Sequence, residues 1–261
     1  MTKVIAIVNQ KGGVAKTTTA INVGAGLAKH GKRVLLIDLD GQGNLSRGLG
    51  CKAKGRSQYT IRDALINIQM GIPTAPDKGI LKARFDPVCV MPCNIQIDAF
   101  ALSLKEDPNR QVYLRRYVNT VRQYFDYILI DCSPSLGVMT QNALVAADSV
   151  MIPVDPEFFG AEGVEQIVAT MTDVQRSMNP ALYLEGIIIV RRNNVSREKR
   201  TTAKNLRIRY GSKVYQTELP TSVKASEASA HGMSLLRYMS WNHLAKMYAS
   251  LVEEVLANER H

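Results

Sequence analysis

Aromatic side chains and long apolar runs are both scarce in this sequence. Only 6% of its 261 residues are Phe, Trp or Tyr, and there is one Trp, so a core must be built mainly from aliphatic residues. Hydrophobic residues nonetheless make up 46% of the chain, which is enough for a substantial core. No apolar run approaches the roughly 20 residues that a membrane-spanning helix needs. No signal peptide is apparent, so we expect a cytoplasmic protein.

Cysteines are few, and their spacing does not favour a metal site. Cys89 and Cys93 enclose three residues, but no second pair follows, as a zinc ribbon would require. We therefore expect reduced thiols without a bound metal at all four positions, which are Cys51, Cys89, Cys93 and Cys132.

Acidic residues are outnumbered by basic ones, 23 to 33, and the formal net charge is +10. A charge of this size favours an anionic partner, such as nucleic acid, an acidic membrane surface or an acidic protein. Composition alone does not choose between these partners and a basic protein that has none of them.

The order of predicted elements indicates a doubly wound α/β fold. A buried strand at Val4–Val8, a glycine-containing loop, a helix at Thr17–Lys29 and a strand at Val34–Ile37 form a βαβ unit. We expect one domain, residues 1–261, with a mostly parallel sheet and helices on both faces. The segments Cys51 to Gln58 and Gly71 to Gly79 are predicted to be surface loops.

The remaining predicted elements alternate along the chain. Strands are expected at Val88–Met91, Tyr127–Ile130, Ser149–Pro153, Gly186–Val190 and Lys213–Thr217. Helices are expected at Ile61–Asn67, Asn109–Tyr124, Thr140–Ala147, Gly163–Ser177, Arg197–Tyr210 and Trp241–Ala257.

A phosphate-binding loop is predicted between the first strand and the first helix. Glycines let backbone N–H groups turn towards phosphate oxygens, and the start of the helix adds partial positive charge. We expect Lys16 to reach the β- and γ-phosphates of a nucleotide and the Thr17 hydroxyl to coordinate Mg²⁺. The candidate nucleotide-binding residues here are Lys11, Gly12, Gly13, Val14, Ala15, Lys16, Thr17 and Thr18.

Carboxylates follow two of the predicted strands. Asp38 and Asp40 come just after the second strand, and Asp131 ends the apolar strand Tyr127–Ile130 in the arrangement of a Walker B motif. Ligands of α/β sheets bind at the carboxyl ends of the strands, so these side chains are expected near the phosphates. Asp131 is expected to hold Mg²⁺ through water.

These motifs resemble the deviant Walker A ATPases of the ParA/MinD family, in which a signature lysine lies near the start of the loop. The segment Gln10 to Thr18 matches that loop, and Asp38 to Asn44 is similar to the family's D-x-D-P-Q-G-N switch. Pro220 aligns with a family loop near the adenine base. The resemblance spans most of the chain and is greatest with the short, Soj-like ParA proteins.

The resemblance implies roles for the acidic residues and for the second lysine. Asp40 is expected to position or activate the attacking water, and Asp38 to support the Mg²⁺ shell. Lys11 is expected to cross a dimer interface to the partner's ATP, which links ATP binding to homodimer formation and hydrolysis to release. A slow, Mg²⁺-dependent ATP hydrolase is implied, which cycles between an ADP-bound or apo monomer and an ATP-bound dimer.

Two positions depart from the family pattern. Ala15 replaces a usual glycine, and alanine does not reach the mirror conformations that glycine adopts. We expect that position 15 does not need a positive φ and that ATP therefore binds. Gly41 replaces a usual proline and makes the switch more flexible, so the hydrolysis rate is not predicted.

Positive charge is concentrated late in the chain. Between Arg191 and Arg237, eleven basic and three acidic residues give a net charge of +8. Four of the basic residues recur at three- and four-residue steps and share one helix face, without interleaved aromatics, which favours sequence-independent contact with duplex phosphates. The predicted DNA-binding residues are these four and one position where the family often has arginine: Arg197, Arg200, Lys204, Arg207 and Lys224.

The resemblance implies a bacterial, nucleoid-associated ATPase for plasmid or chromosome partitioning. Its implied partners are non-specific duplex DNA and a ParB-type centromere-binding protein that stimulates hydrolysis; no membrane partner is expected. A MinD-like membrane-cycling ATPase is an alternative, although three glutamates on the C-terminal helix disfavour anionic lipid. Two more functions stay open, an iron–sulfur reductase of the nitrogenase iron-protein type, using Cys93 and Cys132, and a non-hydrolysing ATP-binding scaffold.

Overall fold

The computed structural model describes residues 2–51, 58–191 and 196–258. The strands of this part of the chain are β1 (Lys3–Ile7), β2 (Val34–Leu39), β3 (Leu81–Lys82), β4 (Cys89–Met91), β5 (Tyr127–Cys132), β6 (Ser149–Val154), β7 (Tyr183–Arg191) and β8 (Leu219–Pro220). They form one sheet in the order β3-β4-β2-β5-β1-β6-β7-β8. Neighbouring strands are parallel, except that β3 runs antiparallel to β4.

The register brings several strand ends to one edge of the sheet. Ile7 of β1 and Asp38 of β2 both lie opposite Asp131 of β5, and β6 pairs with β1 on its other side. The carboxyl ends of β1, β2, β5 and β6 therefore meet, as the parallel arrangement predicts. Helices follow these ends directly, so the connecting loops line this edge.

Helices cover both faces of the sheet. Their bounds are α1 (Lys16–Lys29), α2 (Asn44–Gly48), α3 (Ile61–Gln69), α4 (Gln96–Ser103), α5 (Tyr113–Val121), α6 (Val138–Ala146), α7 (Phe158–Ser177), α8 (Arg197–Tyr210), α9 (Val223–Ala230), α10 (Leu235–Tyr238) and α11 (His243–Ala257). Side chains of α3 to α8 pack on one face, with Val4, Ala6 and Val8. Side chains of α1, α2 and α9 to α11 pack on the other, with Ile5 and Ile7. Successive side chains of a strand thus enter two apolar cores, one on each face of the sheet. The predicted doubly wound α/β fold is confirmed.

The predicted strand at Lys213–Thr217 is wrong. A 3-10 turn occupies Gly211–Lys213, and only Val214 forms an isolated bridge, to Ile187 of β7. The carboxylate of Glu254 on α11 accepts hydrogen bonds from the backbone N–H groups of the next residues, Gln216 and Thr217, at 2.8 and 2.9 Å. These N–H groups are satisfied by a side chain, so the segment does not need a neighbouring strand.

Other boundaries differ for local reasons. The helix expected from Asn109 begins at Tyr113, because Asp107 accepts the backbone N–H of Asn109 and forms a turn first. Short helices at α2, α4, α9 and α10 were not expected; Ser222 and Ser234 cap the last two. The predicted loop at Cys51 to Gln58 lies largely outside the described residues, whereas 71–79 is irregular as predicted.

The C-terminal helix α11 uses its apolar face for the core. Leu244, Tyr248, Leu251, Val252 and Val255 are all at most 4% exposed. None of the helices in the described ranges has the length and apolar character needed to cross a membrane.

Candidate functional site

The loop between β1 and α1 is held from both sides. The Asn9 side chain donates to the carbonyl of Pro153 on β6 at 2.7 Å and accepts the backbone N–H of Lys11 at 2.9 Å. Gly13 has a positive φ of +73°, which its missing Cβ permits. The chain then turns into α1 at Lys16. The loop is thereby fixed at the start of a helix, the place where backbone N–H groups bind phosphate.

Ala15 has a left-handed backbone, so the expectation that position 15 does not need a positive φ was wrong. Its φ is +66° and its ψ is +25°, and it is the one non-glycine residue with a positive φ in the described chain. This conformation costs an L-residue roughly 1–2 kcal/mol because Cβ approaches the following carbonyl oxygen. The loop closes nevertheless, since the Thr19 N–H donates to the Ala15 carbonyl at 2.8 Å.

Lys16 is buried in the first turn of α1, with 7% of its surface exposed. Its ammonium donates to the carbonyl of Lys11 at 3.1 Å, which folds the side chain back over the loop. Burial lowers the pKa of Lys16, and the carboxylate of Asp131 opposes this shift. An ammonium held in this position can bind phosphate oxygens as a charged donor.

Asp38 organises the turn that follows β2. Its Oδ2 accepts hydrogen bonds from the hydroxyl and the backbone N–H of Ser46, at 2.7 and 2.9 Å, and its Oδ1 accepts from the N–H of Asp40 at 3.1 Å. Burial raises the pKa of Asp38 to about 6, and the Ser46 hydrogen bonds partly offset this. Asp38 therefore fixes the start of α2 and the position of Asp40.

Asp131 has the features of a cation ligand. Both carboxylate oxygens are buried. Burial raises the pKa of Asp131 well above its usual value, and Asp38 adds to this, whereas the Thr17 hydroxyl and Lys16 lower it. A buried carboxylate beside a threonine hydroxyl fits Mg²⁺, which prefers such oxygen ligands.

A magnesium ion at this place would need oxygen ligands beyond the protein. In the described ranges no cluster of three or more His, Cys, Asp or Glu residues could hold a metal ion. Mg²⁺ is usually bound by one or two protein oxygens together with substrate phosphates and water, which matches Thr17 and Asp131 beside a phosphate loop.

Asp40 faces the cleft from a tight turn. Its Oδ1 accepts the N–H of Gln42 at 2.9 Å, and its carbonyl accepts the N–H of Gly43 at 2.8 Å. A Cβ at Gly41 would lie 2.8 Å from Oδ2 of Asp98 on α4. Glycine therefore allows α4 to approach the switch turn closely, a contact that the sequence did not predict.

An open cleft of about 730 Å³ lies beside the phosphate loop. Pro220, Leu219 and Val190 are among its apolar lining residues, and Asp40 is among its polar ones. Most of the predicted phosphate-loop residues also line it: Gly12, Gly13, Ala15, Lys16, Thr17 and Thr18. Val14 is buried and lines a separate, smaller pocket. The structure thus brings the phosphate loop, the switch and Pro220 to one cleft.

Lys11 is engaged within its own chain. Its ammonium forms an ion pair with Oε2 of Glu157, the residue that precedes α7. Lys199 of α8 binds the other oxygen of Glu157 at 2.9 Å and Oδ1 of Asp155 at 3.1 Å. No site role was predicted from the sequence for Asp155, Glu157 or Lys199. Asp155 and Glu157 directly follow β6, so their place at a strand's carboxyl end was the available signal.

The predicted basic face divides in two. Arg197, Arg200 and Lys204 are exposed on α8. Arg207 is bound within the protein, since it forms an ion pair with Glu218 at 3.0 Å and donates to the carbonyl of Tyr215 at 3.0 Å. The Lys224 ammonium pairs with Glu227 at 2.7 Å. In the stretch between Arg191 and Arg237, residues 192–195 lie outside the described residues.

Comparison with known proteins places this site in a family context. A family model described as an AAA domain matches residues 2–184. The chain is 40% identical, over 259 residues, to the sporulation initiation inhibitor protein Soj of Bacillus subtilis. That alignment covers 99% of this chain and 100% of Soj. It is also 40% identical, over 263 residues, to the chromosome partitioning protein ParA of Caulobacter vibrioides. That alignment covers 99% of this chain and 95% of that protein.

A solved structure shares the fold. Cobyrinic acid a,c-diamide synthase from Mycobacterium smegmatis, with bound ATP analog and magnesium, superimposes with a TM-score of 0.84 at 30% identity and covers 99% of this chain and 96% of its own. With the two-lysine loop, the aspartate turn after β2 and the buried aspartate at the end of β5, these matches show that the chain belongs to the ParA/MinD family of deviant Walker A ATPases, among its Soj-like members.

Proposed function

We propose that this chain is a ParA-like partitioning ATPase, folded as one domain, that acts on a plasmid or chromosome in the bacterial cytoplasm. The observation that carries the proposal is the buried carboxylate of Asp131 at the end of β5, beside Thr17 and Lys16 of the two-lysine loop. Full-length identity of 40% to a chromosome partitioning protein supports the biological assignment.

Each site residue then has a defined task. Backbone N–H groups of Gly12 to Thr18 and the Lys16 ammonium bind the β- and γ-phosphates of ATP, and Pro220 lies against the base. Thr17 and Asp131 would hold Mg²⁺, with Asp38 supporting its shell. When bound there, the ion would supply positive charge against the phosphates. Asp40 positions the attacking water, and its turn is fixed by Asp38.

ATP binding also assembles the active form. In the ATP-bound homodimer, Lys11 reaches the partner's nucleotide, where a cation inserted in trans offsets phosphate charge. Hydrolysis removes that charge and releases the monomers. A ParB-type centromere-binding protein stimulates this slow hydrolysis and sets the timing of release.

The dimer binds duplex DNA through exposed cations of α8. Arg197, Arg200 and Lys204 are exposed on one face, and their charge is well placed for phosphates of any sequence. Arg207 and Lys224, which are paired with carboxylates, contribute less than these three. Binding of this kind places the protein on the nucleoid.

The proposal is tested by DNA binding with Mg·ATP over a range of salt concentrations. Log affinity is expected to fall linearly with log salt, with a slope of about −0.9 per phosphate contacted. The double charge reversal R200E/K204E is expected to weaken binding to all sequences alike and to reduce that slope. K105E/R110E, an equal charge change at exposed positions outside α8, serves as the control. Sequence-selective, salt-insensitive binding, or equal losses in both variants, contradicts the proposal.

A further inference from the structure

One carboxylate joins the phosphate loop to the basic helix. Glu157 binds the Lys11 ammonium through Oε2 and the Lys199 ammonium through Oε1. Lys199 has a second partner, the buried Asp155, at 3.1 Å. The network therefore links the loop after β1, the segment between β6 and α7, and the first turns of α8.

The two lysines differ in how freely they can leave Glu157. The Lys199 side chain is 17% exposed and has two carboxylate partners, so it is anchored. The Lys11 side chain is 40% exposed, with Glu157 as its partner, and it lies beside an open pocket of about 290 Å³ between the loop and α7. Lys11 is thus the less constrained of the two lysines.

A shared carboxylate makes the two ion pairs interdependent. Both ammoniums hold the pKa of Glu157 down at about 2, Lys11 having the larger effect. Glu157 therefore stays ionised, and when one ammonium leaves, its whole charge is available to the other. Withdrawal of Lys11 is expected to strengthen the contact between Glu157 and Lys199.

We propose that Glu157 is a positioning residue that retains Lys11 in the monomer and, once Lys11 moves to the partner's nucleotide, fixes α8 through Lys199. Dimerisation is thereby linked to the placement of the DNA-binding helix within each subunit. The inference rests on the proposed function, since it requires a dimer in which Lys11 acts in trans.

Substitutions of Glu157 and of Lys199 are expected to act in opposite directions. Glu157→Gln removes the group that competes with the partner's phosphates for Lys11, so the Mg·ATP dimer is expected to form about 1.5- to 5-fold more tightly. Lys199→Met leaves Glu157 to Lys11 alone, so the dimer is expected to weaken by a similar factor. Loss of a purely structural contact would shift both variants the same way.

A matched control is available nearby. Glu165 of α7 pairs with Arg209 of α8, so Glu165→Gln removes an equal charge from another ion pair to α8. That pair does not include Lys11. Glu165→Gln is expected to leave the dimerisation constant unchanged.

The experiment measures the dissociation constant of the dimer by sedimentation in Mg·ATP, and hydrogen exchange across residues 197–204 in Mg·ATP and Mg·ADP. Wild-type protein and Glu165→Gln are expected to show slower exchange in α8 with ATP, and Glu157→Gln is expected to lose that difference. Shifts of one sign in Glu157→Gln and Lys199→Met, or an ATP effect on α8 that survives Glu157→Gln, overturn the inference alone. A wild-type protein that stays monomeric with ATP overturns the proposed function and the inference together.

Discussion

At the scale of single residues, Ala15 has a side chain that does not suit its backbone conformation. The left-handed conformation at φ +66° suits glycine, and an alanine there is strained. The residue is kept in place because the Thr19 N–H bonds to its carbonyl and Lys16 begins α1 immediately after it. The loop is closed at a cost in stability.

Ala15→Gly is therefore expected to raise the free energy of unfolding. Relief of roughly 1–2 kcal/mol of strain is partly offset by the greater entropy of glycine in the unfolded chain, which leaves a gain of about 0.5–1 kcal/mol. Urea denaturation measures the difference. Ala99→Gly, the same chemical change on the exposed face of α4, is expected to lower stability by about 0.5–1 kcal/mol. If Ala15→Gly lowered the free energy of unfolding as Ala99→Gly does, Ala15 would not be strained.

At the scale of elements, β7 contains a bulge and a glycine at the place where Tyr215 packs against it. Between Leu184 and Gly186 the register with β6 shifts by one residue, and Glu185 is the extra residue, paired with Lys3 at 2.8 Å. A Cβ at Gly186 would lie 2.4 Å from the ring of Tyr215. Tyr215, which belongs to the segment Lys213–Thr217 predicted as a strand, therefore packs directly on the backbone of β7.

Gly186→Ala is expected to destabilise the fold by about 1–3 kcal/mol, because the added methyl group forces the Tyr215 ring to move. Gly163→Ala provides the comparison, since a Cβ there would have no atom of the described residues within 4 Å apart from its chain neighbours and the backbone of its own helix. Alanine in this helical position is expected to be neutral or to stabilise by up to about 1 kcal/mol. Thermal unfolding of both variants tests the close contact, and a neutral Gly186→Ala would contradict it.

At the scale of the whole molecule, the sequence predicts what local signals encode. Apolar strands, the Gly-rich loop and the aspartates at strand ends are short-range patterns, and parallel topology then brings them to one edge. The phosphate-loop residues that line the cleft and Asp40 were predicted in this way, whereas Pro220 was predicted from the family resemblance. The short helices α2, α4, α9 and α10 were not predicted, because they have too few positions to show a periodic pattern.

Contacts between distant residues could not be predicted from the same signals. Lys11 and Glu157 are 146 positions apart, and Glu157 and Lys199 are 42 apart, so no spacing rule connects them. The engagement of Arg207 by Glu218 likewise depends on how α8 meets the segment before β8. The charge of a helix face is visible in the sequence, whereas its free or paired state is a property of the fold.

The most direct test of the whole assignment is Mg·ATP binding by calorimetry with wild-type protein and Lys16→Ala. The buried Lys16 ammonium and the Asp131 carboxylate predict saturable binding that requires Mg²⁺. Loss of a charged hydrogen bond to phosphate is expected to weaken binding about tenfold to hundredfold in Lys16→Ala. Absence of saturable Mg·ATP binding to the wild type, or equal binding by Lys16→Ala, would contradict a nucleotide site at this loop.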